Sequence, residues 1–99
     1  MSVYLVARGR IADQLMHDEY VSKALPTIPE SARILSVDVA SEVVEGDTAD
    51  HRTVIIEFPS REDFRAWYDS PAYQEILPLR LASVPGSLAV VDGFVPPAE

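Results

Sequence analysis

Apolar and polar residues alternate in some stretches of this chain and recur at three- and four-residue spacing in others, and the change of period marks out its elements. "VYLVA" at 3–7 is a short apolar run with β-branched and aromatic members, bounded by "RGR", and predicts a strand. Asp13 stands ahead of "QLMHDEYVSKAL", in which Met16, Tyr20 and Ala24 recur at four-residue spacing. With Asp13 as N-cap and "LPTIPE" as terminator, the segment predicts a helix of about three turns. "ARILSVDVASEVVEG" alternates from Ile34 onward and predicts a long strand, bent or bulged, with "EGDTADHR" supplying the turn residues of a hairpin loop. "TVIIEF" at 53–58 predicts another buried strand, stopped by Pro59. Ser60 and Asp63 then make a capping-box-like start to a helix that carries Phe64, Trp67 and Tyr68 on one face. Ser70-Pro71 restarts the chain as N-cap and first helical residue, and Tyr73, Ile76, Leu77, Arg80 and Leu81 follow at helical spacing. "VPGS" is a turn, and "LAVVDGF" at 88–94 predicts the last strand.

The order is β-α-β-β-α-β, with the second helix broken near Ser70. This is an α+β, ferredoxin-like pattern: a four-stranded antiparallel sheet with both crossover helices on one face. A single domain over 1–95 and a frayed, proline-rich tail at 96–99 are expected. No internal repeat interrupts the pattern.

A half-solvated antiparallel sheet should alternate apolar and polar residues, and three of these strands do not. Val3, Leu5 and Ala7 oppose Tyr4 and Val6; Val54, Ile56 and Phe58 oppose Thr53 and Ile55; Leu88 and Val90 oppose Ala89 and Val91. Both sheet faces are apolar, and the helices hide only one. The other would expose more apolar surface than a monomer usually carries, so a homodimer with sheets face to face, closing into a barrel with helices outside, is expected. The plainer alternative is that short strands tolerate a few exposed valines.

Composition narrows the function classes. A net charge of −8, from 16 acidic and 8 basic residues, repels a phosphate backbone and disfavours nucleic acid and anionic membranes as partners. Without cysteine there is no disulfide, thiolate zinc site, iron–sulfur cluster or cysteine nucleophile, and a cytoplasmic protein is expected. The start "MSVYLVARGR" has no signal-peptide pattern, and no apolar run is long enough to span a membrane. Phosphate-cradling loops, nucleophile elbows and dinucleotide fingerprints are missing. His17 and His51, far apart among scattered carboxylates, make no metal signature, so neither metal nor other cofactor is expected.

"VVEGD" at 43–47, "VIIEFPS" at 54–60, "AWYDSPAYQ" at 66–74, Arg80 and "VVDG" at 90–93 together resemble the domain of unknown function 1330 family, over nearly the whole chain. The resemblance implies membership of the dimeric α/β-barrel superfamily, whose members include cofactor-free monooxygenases, muconolactone isomerases, haem-binding enzymes and stress-response proteins. It implies a fold and a dimer but no particular reaction. Two departures stand out. "ESARIL" occupies a place where the family often has paired glycines, and His17 with Tyr20 occupies a place where it often has two tyrosines.

Four kinds of residue are candidates for chemistry. Glu57, a carboxylate at the end of an apolar strand, suits a general acid or base with a raised pKa; alternatively it pairs with Arg52, Arg61 or Arg80. Trp67 and Tyr68 suit the wall of a flat hydrophobic cleft, or else pack the core. Arg80, a cation in an apolar helical stripe, suits a substrate carboxylate or an enolate, or else holds an internal acid. Tyr73 and Tyr4 are weaker versions of the Tyr68 case, each offering a hydroxyl to orient a substrate. Two readings follow. One is a small homodimer that binds, and transforms without cofactor, a hydrophobic or aromatic carbonyl or carboxylate compound, with Glu57 catalytic and Trp67, Tyr68, Tyr73 and Arg80 binding substrate. The other is a non-enzymatic dimeric structural or ligand-binding module.

Overall fold

The computed structural model describes residues 1–97, and the elements follow the expected order. They are β1 (Val3–Gly9), α1 (Gln14–Ala24) with a 3-10 turn at Leu25–Thr27, β2 (Arg33–Asp38), β3 (Arg52–Phe58), α2 (Arg61–Tyr68), α3 (Pro71–Ser83) and β4 (Gly86–Asp92). The last two positions of the tail expected to fray lie outside the described residues.

Local chemistry starts each helix. Asp13 Oδ1 accepts the Met16 amide at 3.0 Å, Ser60 Oγ accepts that of Asp63 at 3.1 Å, and Ser70 Oγ accepts that of Tyr73 at 3.2 Å. Each satisfies an amide that the first helical turn would leave unpaired. Ser70-Pro71 makes the predicted break, since Ser70 is extended while its proline opens α3.

The strands pair antiparallel in the order β2-β3-β1-β4. In β1 and β3, Val3, Leu5, Ala7, Val54, Ile56 and Phe58 point beneath the helices and join Tyr20, Ala24, Phe64, Trp67, Tyr73 and Ile76 in one core. Burying each large apolar side chain of this kind is worth roughly 1.5–3 kcal/mol. Phe58 meets Phe64 edge-on at 5.5 Å between ring centroids and Trp67 at 5.6 Å, which seats α2 on the sheet. Among the described residues no helix covers the opposite sheet face. Tyr4, Val6, Ile55, Ala89 and Val91 lie there, the first three half-buried and the last two exposed.

Two expectations are corrected. The second strand is short: a bulge at Leu35 shifts its register between Ile34 and Ser36, and pairing ends at Asp38, whose carboxylate accepts the Ala40 amide. Residues 39–51 are loop, tied back where the Ser41 amide donates to the His51 carbonyl at 2.7 Å. The last strand runs over 86–92, starting two residues early because Gly86 lies directly opposite Gly9. A Cβ on Gly86 would stand 2.1 Å from the Arg8 carbonyl oxygen, so the strand start needs glycine for close backbone approach.

Candidate functional site

Between the covered sheet face and helices α1 and α3 lies a cavity of about 140 Å³. Its mouth opens past Leu25 and Ile28 on one side and Ile34 and Val37 at the β2 edge on the other. An apolar cavity of about 150 Å³ accepts a benzene ring, so a single-ring body fits this one.

One end is aromatic. Trp67 forms a wall, held by its Nε1–H donating to Thr27 Oγ1 at 2.9 Å, while Thr27 donates to the Ala24 carbonyl at 2.6 Å. The Tyr73 ring stands 4.2 Å from that of Trp67 and leads towards α1, where the Tyr73 and Tyr20 hydroxyls share a hydrogen bond of 2.9 Å. Burial, reinforced by the neighbouring Tyr20 hydroxyl, drives the Tyr73 pKa far above the ordinary phenol range, and the Arg80 charge only partly opposes it. Tyr73 is therefore a neutral hydrogen-bond donor and no base.

The other end is cationic. Arg52 opposes Gly9 in register, and Arg80 stands one turn before the end of α3, which brings both guanidiniums to the end of the sheet where β4 begins. Arg52 shares the phase of Val54, Ile56 and Phe58 and so points inward, 6% exposed. Its Nε–H donates to His17 Nε2 at 2.8 Å. A guanidinium has only donors, so Nε2 carries the lone pair and the imidazole proton sits on Nδ1, which faces Asp18 Oδ1 at 3.4 Å. Desolvation lowers the Arg52 pKa from the usual arginine value; the Tyr20 hydroxyl counteracts this, the Arg80 charge adds to it, and the Tyr73 hydroxyl again opposes it. Among the described residues no carboxylate pairs with Arg52 or Arg80, and the buried Nε of Arg80 has no hydrogen-bond partner.

Of the residues singled out from the sequence, the cavity gathers Trp67, Tyr73 and Arg80. Tyr68 lies apart, half-buried, lining a more open groove with Phe64, Arg65 and Val90. Glu57 stands on the other sheet face, and this corrects the expectation that it would meet Arg80 at one cleft. It pairs in register with Tyr4 and Arg33, accepting from the Tyr4 hydroxyl at 3.4 Å and facing Arg33 Nη1 at 3.6 Å. Arg52 and Arg80 lie behind the sheet from it, and Arg61 pairs instead with Asp92 at 3.0 Å. Sequence reasoning missed His17, Tyr20 and Arg52 as a group. The available signals were phase: Arg52 extends the inward set of β3, and His17, Tyr20 and Ala24 form the buried stripe of α1, with Met16 only at its edge.

Fold and cavity together define a ferredoxin-like α+β domain with a small-molecule-sized chamber between sheet and helices. The chain belongs to the family described as domain of unknown function (DUF1330), whose model matches residues 2–94. No curated protein matches it. Among solved structures, a protein of unknown function from Rhodopseudomonas palustris is similar at 19% identity, covering 96% of this chain and 84% of its own, with a TM-score of 0.72. A cofactor-independent oxygenase from Streptomyces nogalater, SnoaB, is similar at 12% identity, covering 99% and 98%, with a TM-score of 0.64. A Mycobacterium tuberculosis protein is similar at 14% identity, covering 99% and 100%, with a TM-score of 0.63. At these identities the likeness is one of fold. Among the described residues no helix is long and apolar enough to cross a membrane, and no group of three or more histidine and acidic residues could hold a metal ion.

Proposed function

We propose that this chain is a homodimeric binding protein that takes a small hydrophobic or aromatic molecule bearing a carbonyl or carboxylate into the cavity. The observation that carries the reading is a single-ring-sized apolar chamber with an unpartnered Arg80 Nε buried in its lining. Trp67 and Tyr73 give the ring a flat aromatic neighbour, and Arg80 serves the ligand oxygen. Such donors polarise a carbonyl or stabilise an enolate in a site of low polarity, and this is the chemistry the chamber lends itself to. A cofactor-independent oxygenase of similar fold is compatible with it. Glu57 has no part in the chamber; its place is the open sheet face, within the dimer interface. That interface is supported by the uncovered apolar set of Tyr4, Val6, Ile55, Ala89 and Val91.

Trp67 is the only tryptophan, so its fluorescence reads occupancy of the cavity directly. Titrating the protein with single-ring ketones, esters and carboxylates should shift Trp67 emission and raise the unfolding temperature for the compounds that bind. A panel that moves neither signal would overturn the reading.

A further inference from the structure

Two guanidiniums face one apolar chamber, and among the described residues no acid pairs with either. Arg52 is buried, and Arg80 is half-buried with its Nε enclosed; charged groups so placed are ordinarily paired, because an uncompensated charge in low dielectric is costly. Arg52 has an imidazole where a carboxylate would be usual. That acceptor satisfies one N–H and fixes the direction of the side chain but leaves the whole positive charge available. Among the described residues the Nη groups of Arg52 make no protein hydrogen bond, and Arg80 Nε makes none. The two tyrosine hydroxyls have two protons between them and use one in their mutual bond. One O–H is left to donate.

We propose that the cationic end of the cavity is a carboxylate-binding site in which Arg52 and Arg80 receive the anion, the Tyr20–Tyr73 pair donates its spare proton, and His17 positions Arg52. The inference rests on reading the cavity as a ligand site, and it adds that the site recognises the charge of its ligand as well as its shape. A carboxylate suits the parts: it is planar, accepts two parallel N–H donors from a guanidinium, and brings one negative charge. The remaining lining, from Trp67 to Leu5 and Ile56, accommodates a body of about one benzene ring. The ligand class is therefore an aryl or short branched-chain monocarboxylic acid. His17 touches no ligand atom. Its work is to hold Arg52 as a neutral acceptor, where an acid in the same place would quench the site.

Phenylacetate and phenylacetamide share a body and differ in charge, so paired titrations followed by Trp67 fluorescence test the inference. The acid should bind about 10- to 100-fold more tightly than the amide, the range of a hydrogen-bonded charge in a buried site. The ratio should fall towards one in Arg52→Gln and in Arg80→Gln. His17→Gln, whose side-chain carbonyl can accept from Arg52, should keep most of the preference, whereas His17→Leu should lose it. Equal affinities of acid and amide for the unaltered protein would overturn the carboxylate site while leaving the cavity reading in place. Failure of both probes to bind would overturn the two together. The ratio in the unaltered protein decides the matter even if a variant folds poorly.

Discussion

Arg52 Nε donates to His17 Nε2 across 2.8 Å, joining the start of β3 to the first turn of α1 through two buried polar side chains. Arg52 lines the chamber, and His17 holds it from outside the lining. The pair is an unusual match, because the cation's partner is a neutral ring, so the hydrogen bond is satisfied while the charge is not. Strand, helix and site are thereby coupled: whatever disturbs this contact alters both the fold and the field in the cavity.

The contact should be measurable as stability. His17→Leu leaves the Arg52 Nε–H buried with no acceptor, a loss of about 2 kcal/mol or more in urea unfolding. His17→Gln restores an acceptor and should lose about half as much. Equal losses for the two variants would show that the bond itself contributes nothing.

The raised Tyr73 pKa makes a prediction at high pH. Its folded value lies above the unfolded value near 10.0, so the folded state holds the phenol proton after the unfolded chain has released it. Stability from this source is complete below about pH 10 and falls as pH rises beyond it. Denaturant unfolding across that range should show a steeper decline for the native sequence than for Tyr73→Phe. Parallel declines would remove Tyr73 as the cause.

The features that were legible in the sequence are local ones. Asp13, Ser60 and Ser70 announce helix starts because a cap acts within three residues of itself. The inward phase of β1 and β3 is readable from alternation alone. The second strand reads longer in the sequence than it is because Val39 and Val43 continue the apolar alternation of Leu35 and Val37 but lie in loop, beyond the end of the pairing with β3 at Asp38. Glu57 shares the phase of Thr53 and Ile55, but with both faces of β3 apolar, phase alone does not say which one the helices cover. His17 and Arg52 are 35 positions apart, and only the tertiary fold makes them neighbours.

Filling the cavity should separate binding from folding. Ala24 is buried on α1 and lines the chamber. Ala24→Leu places three more carbons into the space and keeps good helix propensity, so the unfolding temperature should hold or rise by a few degrees. Ligand-induced changes in Trp67 fluorescence should disappear in the same variant. Persistence of those changes at undiminished affinity would locate the binding site elsewhere.

The open sheet face makes the last prediction. Val6 and Ile55 are register partners at the middle of that face, and both sit on the side away from the helices. A two-fold dimer through this surface would bring each central residue near its own copy, as self-complementary interfaces do. Ile55→Lys therefore introduces two charges at once into an apolar contact and leaves the helix-side core untouched. Sedimentation equilibrium at micromolar concentration should find a dimer for the native sequence and a monomer for Ile55→Lys. Far-ultraviolet circular dichroism of the variant should remain native, because the buried residues of β3 are Arg52, Val54, Ile56 and Phe58. A native chain that sediments as a monomer would show that the face is tolerated in water, and a dimer that survives Ile55→Lys would place the interface on another surface.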